Sequence, residues 1–281
     1  MNKSVFVPGH VTGFFNIENH EVSLKNGSCG VGFLLSKGVR TTISPSEKLE
    51  IDVNQGDETV IDEVLNIMEL DDTFKITQDI QLPIGAGFGT SAASALSLTL
   101  AVNEFLDLGY SQELCGQIAH MSEINLGAGL GDVIAQTGKG IVLRTKSGAP
   151  GIGEIKSFRK DVFVGYKTFG PIKTADIISN PHHKQVLSRA GLKYLELFEK
   201  EPTMDNFLSY SAKFSSETNL MTDDVKNLIE YFNSSCDILG SSMAMLGNTV
   251  FAFAYDEDAF KNLDIDDLHV CQLDNNGIVY D

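Results

Sequence analysis

A glycine-rich loop that runs into a helix of small residues carries the clearest chemical signal in the chain. Gly85, Gly87 and Gly89 alternate with other residues, and Thr90 and Ser91 follow directly. Alternating glycines permit a tight backbone turn whose N–H groups point inward, and the helix start adds free N–H donors and a positive dipole end. The loop therefore predicts a phosphate-binding site, with two hydroxyl groups available to phosphate or magnesium.

Two familiar phosphate-binding patterns do not fit this loop. A P-loop requires Gly-x-x-x-x-Gly-Lys-Ser/Thr, but Gly89 is followed by Thr90, and no lysine occurs between Lys75 and Lys139. The dinucleotide fingerprint Gly-x-Gly-x-x-Gly fails in both registers, because its third glycine is replaced by Thr90 in one and by Ala92 in the other. A P-loop enzyme and an NAD-dependent oxidoreductase are therefore disfavoured.

Two carboxylates follow within the next predicted helix and the loop after it. Glu123 lies at the end of that helix, and Asp132 follows a glycine-rich stretch at 127–131. Phosphoryl transfer needs a carboxylate to hold magnesium and often a second one near the attacking hydroxyl. Taken singly, a solvated helix-end carboxylate and a turn residue are the plainer interpretations. Together, after the glycine-rich loop, they are candidates for the two catalytic roles.

Two basic side chains are candidate contacts for an anionic acceptor. Arg144 ends a predicted strand, and its forked guanidinium could bind a carboxylate; a plain surface arginine is the alternative. His120 shares a helix face with Glu123 and could bond a hydroxyl or a carboxylate; a satisfied, half-buried helix histidine is the alternative.

Four segments carry a family resemblance. Residues 83–93, Pro-Ile-Gly-Ala-Gly-Phe-Gly-Thr-Ser-Ala-Ala, resemble the second motif of the GHMP kinases, which reads roughly Pro-x-Gly-x-Gly-Leu-Gly-Ser-Ser-Ala-Ala. The opening 5–15, Val-Phe-Val-Pro-Gly-His-Val-Thr-Gly-Phe-Phe, resembles the first motif in the form found in archaeal pantoate kinases. Two further segments resemble the same family. They are Gly-Ser-Cys-Gly-Val-Gly at 27–32, and Met-Ser-Glu-Ile-Asn together with Gly-Leu-Gly-Asp within 121–132.

The match to the third family motif is looser. Residues 240–249, Gly-Ser-Ser-Met-Ala-Met-Leu-Gly-Asn-Thr, are poorer in glycine than that motif, and only Gly247 stands where its later glycines belong. A helix-to-strand turn with Met243 and Met245 in the core is the alternative interpretation.

The resemblance implies a reaction and a set of site residues. It implies ATP and Mg²⁺ as cofactors, and transfer of the γ-phosphoryl group to the terminal hydroxyl of pantoate, giving 4-phosphopantoate for coenzyme A synthesis. It further implies that Ser91 and Glu123 bind magnesium and that Asp132 faces the acceptor hydroxyl, as a general base or as an electrostatic stabiliser. These three are the expected catalytic residues. The expected pantoate contacts are Ser28, His120 and Arg144. The expected ATP-binding residues are Pro83, Gly85, Ala86, Gly87, Phe88, Gly89, Thr90, Ser91 and Ala92.

The elements that must position these residues follow an α+β pattern. The 281 residues are 42% hydrophobic and 21% charged, as in ordinary folded proteins. The predicted strands are 4–7, 31–35, 39–43, 49–53, 74–82, 140–144, 162–166, 250–255 and 269–273. The predicted helices are 91–106, 111–123, 174–178, 184–199, 204–214 and 222–239, with a final short helix before the last strand. The resemblance implies the GHMP kinase fold, with a half like ribosomal protein S5 domain 2 at 1–150 and a ferredoxin-like half at 151–281.

Composition limits the partners and the compartment. Lys and Arg total 21 against 38 Asp and Glu, a formal charge of −17 that repels a phosphate backbone, so nucleic acid is not expected. The sequence shows neither a signal-peptide pattern nor about 18 uninterrupted apolar residues, so we expect a cytoplasmic protein without a membrane partner. The four cysteines form no CxxC pair, which predicts neither a zinc site nor a disulfide framework. A homodimer is implied by the resemblance alone.

Two alternatives stay open at this point. The acceptor could be another small molecule of the same superfamily, such as homoserine or mevalonate, because the phosphate-binding residues would look the same. The chain could instead be a nucleotide-binding sensor without turnover, although a binder has no need of a carboxylate at a reacting hydroxyl.

Overall fold

The computed structural model describes residues 1–170 and 181–281, and the predicted helix 174–178 lies outside them. The strands are β1 Lys3–Glu18, β2 Gly27–Pro45, β3 Glu50–Val53, β4 Phe74–Ile80, β5 Ile141–Lys146, β6 Glu154–Phe158, β7 Phe163–Thr168, β8 Gly240–Met243, β9 Thr249–Ala254, β10 His269–Gln272 and β11 Val279–Tyr280. The α-helices are α1 Thr59–Ile67, α2 Thr90–Leu106, α3 Gln112–Leu126, α4 Asp132–Gln136, α5 Pro181–Lys200, α6 Met204–Thr218, α7 Asp223–Asn233 and α8 Asp258–Lys261.

The strands form two sheets. The larger sheet has the order β11-β1-β2-β4-β3, and β5 and β6 extend it from the other end of β2. Its pairs are antiparallel except β3 with β4, and the smaller sheet, β10-β7-β9-β8, is antiparallel throughout. Because β2 pairs with β4 along 39–45 and with β5 along 30–33, this single long strand spans the width of the N-terminal half.

Two apolar clusters hold these layers together. One lies between the first part of the large sheet and helices α1 to α3, and includes the alanines and leucines of α2. The other is rich in phenylalanine and joins the large sheet to the small one: the ring of Phe33 in β2 lies 4.9 Å from Phe251 and 4.8 Å from Phe253 in β9. Edge-to-face packing at these distances adds to the burial of apolar area. The predicted boundary between the two halves of the chain, at residue 150, stays a prediction.

Several predicted elements differ from the structure. The predicted strands 31–35 and 39–43 are parts of one strand, β2. Gly38 does not form a turn between them, because it pairs with Pro8 of β1. A Cβ added to Gly38 would lie 2.8 Å from the Cα of Pro8, so only glycine fits this close approach. The predicted helix 222–239 ends at Asn233, since the short polar residues that follow it favour turns, and 240–243 form β8. Helices α1 and α4 and strands β6 and β11 are missing from the predictions.

Within residues 1–170 and 181–281, no helix is both long enough and apolar enough to cross a membrane.

Candidate active site

A cleft of about 200 Å³ lies where the two long strands meet the glycine-rich loop, residues 83–89. Its walls come from β1, β2, the glycine-rich loop with the start of α2, the end of α3, the loop 128–131, β5 and the segment 245–246. The cleft therefore collects side chains from positions that are far apart in the sequence.

The glycine-rich loop adopts backbone conformations that other residues rarely take. Gly85, Gly87 and Gly89 have φ angles of 73°, 88° and 60°. Gly89 directly precedes α2, which runs for 17 residues from Thr90. The free N–H groups at the start of a helix of this length carry partial positive charge and stabilise a bound anion. The loop is thus shaped to bind phosphate from the N-terminal end of α2.

The segment 244–249 packs against the glycine-rich loop from the other side. A Cβ added to Gly247 would lie 2.0 Å from the carbonyl oxygen of Ala86, and the Thr249 hydroxyl donates to that oxygen at 2.7 Å. Met243 and Met245 are buried, as the alternative interpretation of this segment expects. The glycine-poor third motif therefore supports the loop by close packing at Gly247.

Gly247→Ala is expected to raise the KM for ATP roughly tenfold, because inserting a methyl group into a tight contact costs about 1–3 kcal/mol. The loop must shift away from Gly247 to make room. Steady-state kinetics with varied ATP and a thermal melt measure the two effects. Gly109→Ala is the control for a loss of stability alone: its φ of 69° strains an alanine, but the added Cβ meets no atom within 4 Å among the described residues, so the melting temperature should fall while the KM for ATP stays unchanged. An unaltered KM in Gly247→Ala would show that the segment does not support the loop.

Ser91 and Glu123 meet at one wall of the cleft. The Ser91 hydroxyl donates to Oε1 of Glu123, and the Gly129 N–H donates to Oε2 at 2.9 Å. Burial and the nearby charge of Asp132 raise the pKa of Glu123 to about 7, against the lowering effect of the two hydrogen bonds. A buried carboxylate of this kind gains from a neighbouring cation.

The oxygens of Ser91 and Glu123 suit Mg²⁺. That ion prefers oxygen ligands, and it is commonly held by one or two protein groups together with substrate phosphates and water. The described part of the chain contains no group of three or more His, Cys, Asp and Glu side chains able to hold a metal ion alone. Nucleotide phosphates on the adjacent glycine-rich loop would supply the remaining ligands.

Asp132, His10 and Arg144 form a continuous hydrogen-bonded row on the other wall. Nδ1 of His10 lies 2.6 Å from Oδ1 of Asp132, and Nε2 of His10 lies 3.3 Å from Nη1 of Arg144. The His10 side chain is fully buried, whereas the Asp132 side chain is 26% exposed and faces the cleft. The row thus joins a carboxylate to a guanidinium through a buried imidazole.

The charges in this row support one another. Burial disfavours the ionised form of Asp132, but the hydrogen bond from His10 and the charge of Arg144 oppose this effect, and the pKa of Asp132 lies below its ordinary value. Burial lowers the pKa of Arg144, and the charge of Asp132 opposes that effect. A guanidinium stays protonated in proteins, so the row carries one negative and one positive end.

The glycines of 27–32 make room for this row. Gly30 lies opposite Arg144 in the pairing of β2 with β5, and a Cβ there would be 2.6 Å from Nη2 of that arginine. A Cβ on Gly32 would be 2.3 Å from Nε2 of His10. The carbonyl oxygen of Ser28 accepts from Nε of Arg144 at 3.3 Å. The small residues of β2 therefore allow two large polar side chains to lie inside the sheet.

Comparison with known proteins gives the family. The family model described as the GHMP kinases N terminal domain matches residues 58–140. A protein of Methanocaldococcus jannaschii named pantoate kinase is 32% identical over 257 residues, which cover 90% of this chain and 93% of that protein. A Thermococcus kodakarensis protein of the same name is 31% identical over 91% of this chain and 89% of its own length. The chain belongs to the pantoate kinase family of the GHMP kinases.

Solved structures agree with this membership. A structure titled "Phosphotransferase related to CoA biosynthesis pathway" is 28% identical, with a TM-score of 0.88 over 100% of this chain and 99% of that chain. A mevalonate kinase structure, at 16% identity and a TM-score of 0.70 over 98% of this chain and 99% of that one, shares the fold. The predicted fold class and the predicted family are confirmed.

Most of the site residues predicted for this GHMP kinase line the cleft. These are Gly85, Gly87, Phe88, Gly89, Thr90, Ser91, Ser28, Glu123, Asp132 and Arg144. Arg144 is not the surface arginine of the alternative interpretation, since it is 1% exposed. Pro83, Ala86 and Ala92 lie outside the cleft wall. The assignment of ligand roles to these residues stays a prediction.

His120 lies apart from the cleft wall. Its ring is buried, with backbone groups of Ser23 and Asn26 nearby, and burial lowers its pKa against the effect of those groups. Its Nε2 has no hydrogen-bond partner among residues 1–170 and 181–281. The substrate role of His120 stays a prediction. His10 and Thr12 were not among the predicted site residues. Their place in the first motif, just after Pro8-Gly9, is the signal that could have indicated them.

Proposed function

We propose that this chain catalyses the ATP-dependent phosphorylation of (R)-pantoate to 4-phosphopantoate, a step of coenzyme A synthesis. The observation that carries the proposal is the cleft itself. It sets a phosphate-binding loop and a magnesium-type carboxylate against a second carboxylate and a buried guanidinium. Membership of a family whose relatives bear the name pantoate kinase supports the choice of acceptor.

The nucleotide side of the site follows from the glycine-rich loop. Its N–H groups and the start of α2 bind the ATP phosphates, and Ser91 and Glu123 are the residues that would hold Mg²⁺. Bound there, Mg²⁺ would neutralise negative charge on the ATP phosphates. Asp132 and Arg144 line the same cleft as the glycine-rich loop, so a phosphoryl group bound on the loop would lie near them.

The acceptor side follows from Asp132 and Arg144. A Cβ on Gly129 would lie 2.5 Å from Oε2 of Glu123 and 3.0 Å from Oδ2 of Asp132, so the two carboxylate oxygens lie close together beside the backbone of Gly129. An acceptor hydroxyl next to Asp132 in the cleft donates its proton to Oδ2 as its oxygen bonds to the γ-phosphorus and the bond to the β–γ bridging oxygen breaks. Arg144, which reaches the same cleft, binds the carboxylate at the other end of the acceptor.

ADP release with ATP and magnesium, screened across pantoate, pantothenate, homoserine, mevalonate and shikimate, tests this function. Turnover on pantoate alone supports it. Turnover on homoserine or mevalonate instead would keep the phosphoryl-transfer chemistry and replace the acceptor. ATP binding without any turnover would favour the nucleotide sensor.

A cytoplasmic location and a homodimer are proposed with this function through the family resemblance, and light scattering on the purified protein tests the dimer.

Binding of magnesium and ATP is expected to release a proton from Glu123 below about pH 7. The neighbouring cation favours the ionised carboxylate, so the pKa of Glu123 falls on binding. Without metal, the fraction of ionised Glu123 rises as the pH rises through about 7, and affinity for magnesium rises with it. Calorimetry in buffers of different ionisation enthalpy measures the released proton.

Glu123→Gln and Glu113→Gln form the matched pair for this measurement. Both glutamates belong to α3, but Glu113 is exposed in the first turn of the helix. The ATP phosphates also titrate, so the quantity that counts is the difference from the unmodified protein. Glu123→Gln should lower the proton release, and Glu113→Gln should leave it unchanged. Equal release in all three proteins would remove Glu123 from the magnesium site.

A further inference from the structure

His10 is the residue of the cleft region for which the reaction described above has no use. It lies in β1 between two register shifts of the pairing with β2, one at Pro8/Gly9 and one at Thr12/Phe14. Irregularities of this kind re-aim a side chain and are common beside active sites. Here they direct a polar side chain into the interior, where it is completely buried.

Three functional parts of the site contact His10. Its backbone N–H donates to the carbonyl oxygen of Phe88 in the glycine-rich loop at 2.9 Å. Its Nδ1 bonds Oδ1 of Asp132 at 2.6 Å, and its Nε2 lies 3.3 Å from Nη1 of Arg144. One residue of the first motif therefore touches the nucleotide side, the carboxylate and the guanidinium.

The partners fix the tautomer of the ring. A guanidinium has only donors, so Nε2 of His10 must accept from Arg144 and carries no proton. The single proton of the neutral ring is then on Nδ1, where it is donated to Oδ1 of Asp132. Burial lowers the pKa of His10, the Asp132 carboxylate opposes this effect, and the Arg144 charge adds to it. The hydrogen bonds and the electrostatics agree on a neutral ring.

This arrangement leaves the reacting atoms free. Oδ1 of Asp132 is occupied by His10, and Oδ2 has no hydrogen-bond partner within the ranges 1–170 and 181–281. Arg144 turns Nη1 toward His10 while the side chain still lines the cleft. The imidazole thus sets the spacing between the oxygen that would receive the hydroxyl proton and the group that would bind the carboxylate.

We propose that His10 is a positioning residue that holds Asp132 and Arg144 at a fixed separation, so that the site selects hydroxy acids whose hydroxyl and carboxylate groups match that separation. The inference rests on the proposed function, because it assumes phosphoryl transfer to a hydroxy acid. It goes beyond that function by assigning the length selectivity of the acceptor to one side chain that touches neither ATP nor acceptor.

Three substitutions separate the two ends of the ring. The amide nitrogen of His10→Asn takes the place of Nδ1 and keeps the donor to Asp132 while losing the contact with Arg144. In His10→Gln the longer side chain places its amide oxygen where Nε2 was. This variant keeps an acceptor for Arg144 and loses the donor to Asp132. His10→Leu removes both contacts with little loss of apolar volume. All three keep the backbone N–H that donates to Phe88.

The variants are expected to affect kcat and KM separately. His10→Asn should raise the KM for pantoate roughly ten- to a hundredfold with a kcat near that of the unmodified protein. His10→Gln should lower kcat by a similar factor with a KM for pantoate near normal. His10→Leu should show both losses, and all three should keep the KM for ATP. The ratio of kcat/KM for 5-hydroxyvalerate to kcat/KM for the shorter 4-hydroxybutyrate should be higher in the three variants than in the unmodified protein.

Other outcomes would overturn the inference. If His10→Leu turns over pantoate normally, or if kcat and KM change together in all three variants in proportion to the loss of melting temperature, His10 has only a structural role. If the unmodified protein does not phosphorylate pantoate, the proposed function fails first, and that result is distinct. Should the variants fail to fold, ¹⁵N NMR of the histidines in the unmodified protein decides: a neutral ring protonated at Nδ1 supports the inference, and protonation at Nε2 refutes it.

Discussion

Asp132→Asn is expected to lower kcat for pantoate phosphorylation by roughly a hundred- to ten-thousandfold while the KM for ATP stays within about twofold. The asparagine carbonyl oxygen can still accept from Nδ1 of His10, so the side chain should keep its place. The atom that replaces Oδ2 becomes an N–H₂ donor, which can neither accept the hydroxyl proton nor supply negative charge. The loss is therefore chemical, with the geometry retained.

Single-turnover and steady-state kinetics with varied pantoate and ATP measure this effect. Asp62→Asn in α1 is the control, because that aspartate is exposed and does not line the cleft. A melting temperature near that of the unmodified protein would confirm that folding is intact. Normal turnover in Asp132→Asn would remove this residue from the mechanism.

The lowered pKa of Asp132 bears on what it does in the reaction. A carboxylate that His10 and Arg144 keep ionised is a weak base, and early removal of the hydroxyl proton by it is unfavourable. A loose transition state does not need an early base, since the acceptor oxygen forms its bond late. The geometry therefore fits a carboxylate that orients the hydroxyl and accepts its proton as transfer is completed.

The glycine-rich loop could be predicted because its signal is local. The backbone angles of Gly85 and Gly87 and the helix that starts at Thr90 are set by consecutive residues, and the sequence contains all of them. Glu123 and Asp132 are also close in sequence, and the intervening turn at Gly127 caps α3 in the left-handed conformation. Short-range patterns therefore predicted residues that line the cleft, and their part in nucleotide binding stays a prediction.

The acceptor side depends on contacts that no local pattern contains. His10 is 122 residues from Asp132 and 134 from Arg144 along the chain. The burial of Arg144 depends on its pairing with Gly30, where the missing side chain leaves the space that the guanidinium fills. That pairing joins two strands that are far apart in the sequence, and no local pattern in either strand specifies the register.

Arg144→Met is expected to raise the KM for pantoate roughly a hundred- to a thousandfold, because truncating one partner of a buried, hydrogen-bonded charge pair between a protein and its ligand weakens binding by about 2–5 kcal/mol. The loss has two sources. The acceptor carboxylate loses its guanidinium, and Asp132 loses a positive charge that holds its pKa low. Arg144→Lys should recover only part of the affinity, since an ammonium cannot offer the paired donors of a guanidinium. Arg159→Lys, an exposed arginine in the loop after β6, is the control and should bind pantoate normally.

A second acceptor separates binding of the carboxylate from other effects of the substitution. The alcohol in which the pantoate carboxylate is replaced by a hydroxymethyl group keeps the reacting hydroxyl and loses the negative charge. The unmodified protein should prefer pantoate over this alcohol by a large factor in kcat/KM, and Arg144→Met should lose most of that preference. If the preference persists in Arg144→Met, the carboxylate binds elsewhere, and Arg144 acts only through Asp132 and His10. The other outcome is that the preference disappears while the alcohol reacts at a similar rate in the unmodified protein and in Arg144→Met. In that case Arg144 binds the pantoate carboxylate, and Asp132 functions without Arg144.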